Sequence, residues 1–303
     1  MEAIPQNRKG NKMKKGFYTA LGTPLGKDGK LIHSSFKKHI EDQVSAGASG
    51  LLIMGSMGMQ SAITNSEYPV IVKAGVEAAG SKTTVFAGVM DNSVARVLER
   101  IDSIADCGLD GVVPTPPFYY KENPVLFRNF FLKIADKSRF PVYLYDLPVV
   151  TQNPLGTDDV RILMKHGNIR GIKTANMVIA REITKDPEKP SYFNVLFSGL
   201  DVCDVAYRYG IEYYLDGMFS CTPNLTGAMD KALAAKDHDK AAVMLDRILD
   251  LRSIFVKHGV FASFTAAMNI LGYEGRFHPD YHIDVTQTAI IEIKDYLAGY
   301  EMV

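Results

Sequence analysis

Excess charge of either sign is missing from this chain. Its 303 residues carry 34 lysines and arginines against 34 aspartates and glutamates, so the formal net charge is zero. That balance removes the basic footprint of a nucleic-acid binder. Cysteine is scarce: Cys107, Cys203 and Cys221 are scattered and odd in number, with no Cys-x-x-Cys pair and no zinc-type Cys/His spacing. A disulfide framework and a metal site both lose support, and a reducing cytoplasm is the expected compartment. No apolar run approaches the roughly 20 residues that a spanning helix needs, so no membrane partner is expected. No Gly-x-Gly-x-x-Gly follows the first apolar run, which weighs against a dinucleotide fold. The stretch 1–16 is polar and carries Arg8, Lys9, Lys12, Lys14 and Lys15. Without the apolar centre of a signal peptide, it reads as a flexible basic segment.

What the chain does have is a repeating unit at the scale of roughly 25–30 residues, each an apolar run, a polar turn and an amphipathic stretch. Eight strands are expected: Phe17–Leu21, Gly50–Met54, Thr84–Val89, Gly111–Pro114, Val142–Tyr145, Gly171–Lys173, Asn194–Phe197 and Tyr213–Phe219. Helical spacing fills the intervals between them. Near-continuous apolar strands alternating with helices imply a parallel sheet covered on both faces. Eight such units favour an α/β fold of the closed (β/α)8 TIM barrel type over an open sheet. The barrel is expected over 17–236, followed by a C-terminal three-helix extension over 237–303. Gly47, Gly50, Gly108, Gly111, Gly167, Gly171 and Gly210 punctuate the helix-to-strand returns and fit helix C-caps.

Barrel enzymes carry their chemistry at the C-terminal ends of the strands. Strand 6 ends on Lys173, within Gly171-Ile172-Lys173-Thr174, and strand 5 ends on Tyr145-Asp146-Leu147-Pro148. Gly55-Ser56-Met57-Gly58-Met59 follows strand 2, Pro116-Pro117-Phe118-Tyr119-Tyr120 follows strand 4, and Gly199 and Ser220 follow strands 7 and 8. A lysine at a strand end is either a snorkelling cation or a nucleophile. The second role needs a free amine near neutral pH, which a desolvating pocket favours. Alone, each residue has an ordinary reading. Tyr145 can fill a barrel, Ser56 can cap a helix, and Asp91-Asn92-Ser93 can cap the helix after strand 3. The seven histidines fall mainly on helices or polar turns and read as surface or structural.

Taken in order, these motifs resemble the dihydrodipicolinate synthase / N-acetylneuraminate lyase superfamily of class I aldolases, over nearly the whole chain. The resemblance implies a Schiff base between Lys173 and the ketone of a 2-oxo acid such as pyruvate, with an aldehyde as the second partner and no separate cofactor. It implies that Tyr145 moves protons beside the lysine. Ser56 would link Tyr145 to Tyr119 in a hydroxyl relay, and the amides near Ser56 and Met57 would hold the substrate carboxylate. Gly55, Met57, Val150, Thr174, Gly199 and Ser220 are the expected substrate contacts. In relatives the tyrosine matching Tyr119 reaches into a neighbouring subunit, and a homotetramer built as a dimer of dimers is the implied assembly.

Departures from the family pattern narrow the reading. The strand-2 loop has Met57 and Met59 where the lysine-biosynthetic synthases usually have Thr and Glu. Val150 stands where those synthases carry an arginine that grips the second substrate's carboxylate, which disfavours dihydrodipicolinate synthase itself. Asp146 replaces the usual Asn, and Thr174 replaces Glu or Gln. The expected activity is a Schiff-base aldolase or lyase giving pyruvate and an aldehyde, on a 2-keto-3-deoxy sugar acid or sialic-acid-like substrate. A Schiff-base dehydratase or deaminase, or a non-catalytic 2-oxo-acid binder, are the alternatives.

Overall fold

The computed structural model describes residues 13–300. The basic segment expected over 1–16 lies outside them up to residue 12. Its described end is tied down: the Lys14 carbonyl accepts from the Tyr18 hydroxyl at 2.7 Å, and Lys15 pairs with Glu212 at 2.5 Å.

The first half of the chain runs β1 (Gly16–Ala20), α1 (His33–Ser45), β2 (Gly50–Ile53), α2 (Tyr68–Ala79), β3 (Thr84–Gly88), α3 (Val94–Ser103), β4 (Gly111–Val113) and α4 (Pro124–Lys137). It continues through β5 (Val142–Asp146), α5 (Pro148–Thr151), α6 (Thr157–Leu163), β6 (Ile169–Thr174), α7 (Met177–Lys185), β7 (Asn194–Phe197), α8 (Cys203–Arg208) and β8 (Tyr213–Asp216). Then come α9 (Pro223–Ala234), α10 (His238–His258), α11 (Val260–Ile270) and α12 (Gln287–Tyr300). The eight strands close in sequence order into a barrel, and the ladders from β3 to β8 are parallel. This is a TIM barrel followed by the helices α10–α12. The short helix α5 was not expected, because four residues carry no helical period. Pro148 starts it at the first helical position, where a missing N–H costs nothing.

The chain divides into two compact units. One contains Ser49–Leu52, Thr83–Asp216 and the chain up to Tyr18. Its barrel interior holds an aromatic layer, with Tyr18 stacked on Phe86 at 6.1 Å and Phe86 tilted against Tyr143 at 4.5 Å between ring centroids. These large rings come from β1, β3 and β5, and the facing strands supply glycine. A side chain at Gly111 would meet the Tyr143 ring at 2.8 Å, and one at Gly171 would meet the same ring at 2.7 Å. Gly50 makes the same room for Tyr18. This corrects the expectation that all seven punctuating glycines are helix caps. Gly47, Gly108 and Gly210 do have the left-handed φ of a C-cap, whereas Gly50, Gly111 and Gly171 are glycine for space. Gly167 shows neither feature.

The other unit contains Thr19–Ala48, Ile53–Lys82 and the chain from Gly217 onward. Here α1 packs on α2, and α9 packs on α10, which contacts α11 and α12. The extension expected over 237–303 therefore shares a unit with α1, α2 and α9. Aromatic rings of α11 and the following segment, Phe264 and Phe277, occupy the space beside Gly22 after β1. Among the described residues no helix is long and apolar enough to cross a membrane, and no group of three His, Cys, Asp or Glu side chains could hold a metal ion.

Candidate active site

In the first unit, the β5–β6 register sets Tyr145 beside Lys173 and Asp146 beside Thr174. Side chains alternate along a strand, so the tyrosine and the lysine share one face and the aspartate and threonine the other. Lys173 is only 7% exposed. Its Nζ lies 3.9 Å from the centroid of the Tyr145 ring, where the negative face of the π-system attracts an ammonium. Tyr145 is itself buried.

The other face holds a buried carboxyl. Thr174 Oγ1 donates to Asp146 Oδ2 at 2.8 Å, and the Leu155 N–H donates to Oδ1 at 3.1 Å. Burial pushes the Asp146 carboxyl above the usual carboxylate range, while those two donors and the charge of Lys173 oppose the rise. The Thr174 hydroxyl also accepts from the Asn176 N–H at 3.0 Å, so its proton and one of its two lone pairs are engaged within the protein. Gly199 sits where a side chain would press on the Phe197 ring. Val150 lies on α5 and is 55% exposed, next to Val149 at 87%.

Tyr119 follows β4, is 77% exposed and meets Tyr120 edge-to-face at 4.9 Å. Its main chain is held from two sides by asparagines whose role the sequence reading missed. Asn92 Oδ1 accepts from the N–H groups of Phe118 and Tyr119, each at 2.8 Å. Asn153 Oδ1 accepts from the Glu122 N–H at 2.8 Å, and its Nδ2 donates to the carbonyls of Pro117 and Tyr120 at 2.7 and 2.9 Å. Within Asp91-Asn92-Ser93 only Ser93 caps α3, accepting from the Arg96 N–H at 3.3 Å.

In the second unit, the loop after β2 turns sharply. Met54 and Met59 both have left-handed φ, at 57° and 58°, a conformation costing of order 1 kcal/mol for a side-chain-bearing residue. Gly58 closes the turn: a side chain there would lie 2.9 Å from the Met54 main chain. Thr23 Oγ1 donates to the Gly58 carbonyl at 2.9 Å. The Met59 N–H donates to the Ser56 carbonyl at 3.1 Å and the Gln60 N–H to the Gly55 carbonyl at 3.5 Å. The N–H groups of Met57 and Gly58 have no acceptor among the described residues. The Met57 side chain fills the space left open by Gly217. Ser220 is fully buried; its hydroxyl donates to the Ala20 carbonyl at 2.9 Å, and its own carbonyl accepts from Gln43 at 3.1 Å.

Among the described residues, the buried side chains of Gln60, in the turn that follows β2, and Thr115, just after β4, have no hydrogen-bond partner at either Gln60 amide atom or at Thr115 Oγ1. An orphaned buried hydroxyl is a cost, so replacing it with a methyl group removes that cost. Thr115→Val is expected to leave stability unchanged or raise it by about 1 kcal/mol in urea unfolding. A loss of that size would show that the hydroxyl is paired in solution.

A model of the dihydrodipicolinate synthetase family matches residues 13–279. A 4-hydroxy-tetrahydrodipicolinate synthase of Methylobacterium radiotolerans is 27% identical over 254 residues, covering 84% of this chain and 83% of the relative. One from Pseudoalteromonas atlantica is 31% identical over 244 residues, covering 78% and 81%. Among solved structures, YagE from Escherichia coli K12, a prophage protein of the dihydrodipicolinic acid synthase family in complex with pyruvate, superposes with a TM-score of 0.87 at 22% identity, covering 95% of this chain and 99% of that one. Dihydrodipicolinate synthase from Thermotoga maritima gives 0.87 at 18% identity, covering 96% and 100%. The match over nearly all of the barrel, together with a lysine and a tyrosine paired at the ends of β6 and β5, makes this chain a member of the dihydrodipicolinate synthetase family, an enzyme of the aldolase-type lyases.

Proposed function

We propose that this chain is a class I aldolase that cleaves and forms a carbon–carbon bond next to a 2-oxo acid, through a Schiff base on Lys173. The observation that carries the reading is the buried Lys173 amine held over the Tyr145 ring at 3.9 Å. The amine attacks the ketone, and loss of water from the carbinolamine gives the iminium. That cation is the electron sink when the C3–C4 bond breaks, leaving an enamine on the lysine and releasing an aldehyde. Protonation of the enamine at C3 and hydrolysis of the iminium return pyruvate and the free amine. Tyr145 gives and takes the protons of these steps. Ser56 and Tyr119 take the relay roles that the family resemblance assigns. The family resemblance gives the substrate carboxylate to the main-chain N–H groups near Ser56 and Met57; the Met57 N–H has no acceptor among the described residues, and main-chain donors can bind an anion without an arginine. A 2-keto-3-deoxy sugar acid or sialic-acid-like compound is the proposed long substrate, the cytoplasm the proposed compartment, and a homotetramer the proposed assembly. The exposure of Tyr119 in the single chain supports a role at a neighbouring subunit.

The curated relatives are named as synthases, but α5 lacks what that second substrate requires. Val149 and Val150 are exposed valines and cannot clamp a carboxylate. Incubation with pyruvate and borohydride, read by intact mass, tests the proposal. The reduced-pyruvate adduct is expected in the wild type and absent in Lys173→Ala. An adduct that persists in the variant would move the Schiff base to another lysine. No adduct with pyruvate or with longer 2-oxo acids would leave a binding protein. Tyr119→Phe is expected to slow turnover about tenfold or more while the adduct still forms.

A further inference from the structure

We infer that Asn153 and Asn92 are positioning residues that clamp the Tyr119 loop and fix it relative to the strand carrying Tyr145. This inference rests on the Schiff-base reading for its consequence, but not for its geometry. The segment from Pro117 to Glu122 has no helix or ladder of its own. Its main chain is held instead by five side-chain hydrogen bonds, two to Asn92 and three to Asn153. Loops without such ties open at low free energy, and a phenol on such a loop loses its aim.

Both clamps are anchored. The Asn92 main-chain N–H donates to Asp91 Oδ1 at 2.8 Å, and Asp91 pairs with Arg96 at 2.6 Å and Arg100 at 3.1 Å. Asn153 is 1% exposed. Two residues on, the Leu155 N–H is held by Asp146, the neighbour of Tyr145 in β5. A continuous path of covalent and hydrogen bonds therefore runs from Tyr145 through Asp146 and Leu155 to Asn153, and across to Pro117 and Tyr120 on either side of Tyr119. The two phenols of the proposed relay are referenced to one another through it.

The hydrogen-bond directions give the inference a sharp signature. Asn92 acts only as an acceptor towards the loop, so an aspartate can replace it. Asn153 accepts once and donates twice, so an aspartate there keeps one bond, loses two and sets a carboxylate against two carbonyls. The two chemically identical substitutions should have opposite outcomes.

The probe is pyruvate in D2O, whose methyl protons exchange through the enamine at a rate read by NMR without any aldehyde. Asn92→Asp is expected within about twofold of wild type, while Asn92→Ala and Asn153→Asp fall about tenfold or more. Borohydride trapping of the pyruvate adduct is expected to be unchanged in all three. Combining Asn153→Asp with Tyr119→Phe should add little to the slower single variant, because both act through one phenol. Wild-type exchange in Asn153→Asp, equal loss of exchange and trapping, or full additivity with Tyr119→Phe would each overturn the inference. If the wild type forms no adduct, the Schiff-base reading fails separately. Amide exchange of the peptide spanning 117–122 then decides the clamp: faster exchange in Asn153→Asp but not in Asn92→Asp sustains it, and no difference ends it.

Discussion

Lys173→Met is expected to abolish enamine chemistry while leaving the fold as stable as before, or more so. The two halves of this result have one cause. The lysine is 7% exposed, and its amine reaches the Tyr145 ring inside the barrel. Burying that polar amine carries a desolvation cost that an apolar side chain of similar length does not. Met fills an irregular space well. A gain of about 1–2 kcal/mol in urea unfolding is therefore expected, against the loss of the amine's contact with the Tyr145 ring. Exchange of the pyruvate methyl protons should fall by about 10^4 or more, because no other group supplies the covalent electron sink. A lysine kept only for packing would behave the other way, with stability lost and exchange retained. That outcome would remove Lys173 from the chemistry.

The sequence made the frame legible because the barrel writes itself in a simple period. Short apolar runs ending in turn residues located all eight strands to within a few residues. The Tyr145–Lys173 pair was also legible, since consecutive strands of a parallel barrel are neighbours and motifs at their ends share a rim. What stayed hidden depends on partners far apart in the chain. Asn153 binds carbonyls 33 and 36 residues away, and nothing in its own surroundings marks it. The hydroxyl bonds of Thr174 to Asp146 and of Ser220 to Ala20 are of the same kind, since each joins residues far apart in the chain. The glycines show a third case. A cap and a space-making glycine look identical in sequence, and only the ring of Tyr18 or Tyr143 separates them.

His39 also depends on partners that its own sequence surroundings do not mark. It sits three residues after Phe36 and one before Ile40, on the buried stripe of α1. The structure buries it completely, and neither ring nitrogen has a hydrogen-bond partner among the described residues. Its ring packs on Tyr273 at 5.0 Å. Tyr273 is pinned in turn by its hydroxyl bond to Asp42 at 2.7 Å and by Lys38 Nζ, 4.3 Å over its ring. Desolvation pushes the imidazole down to about 3, with Lys38 acting in the same direction and Asp42 against it. The folded state therefore keeps His39 neutral, whereas the unfolded chain protonates it below the ordinary value near 6.5. Stability is full above that value and is lost as pH falls from about 6.5 towards about 3. Between pH 7 and pH 5 the loss from this one ring is about 2 kcal/mol. His39→Leu has no proton to take up and no orphaned nitrogens to bury. In paired urea titrations it is expected to match or exceed the wild type at pH 7, and to lose about 2 kcal/mol less on going to pH 5. Carboxylates titrate equally in both proteins and cancel in the difference. Parallel acid limbs for the two would show that His39 takes up its proton without unfolding, through a partner or an opening of α1 that the closed packing does not provide.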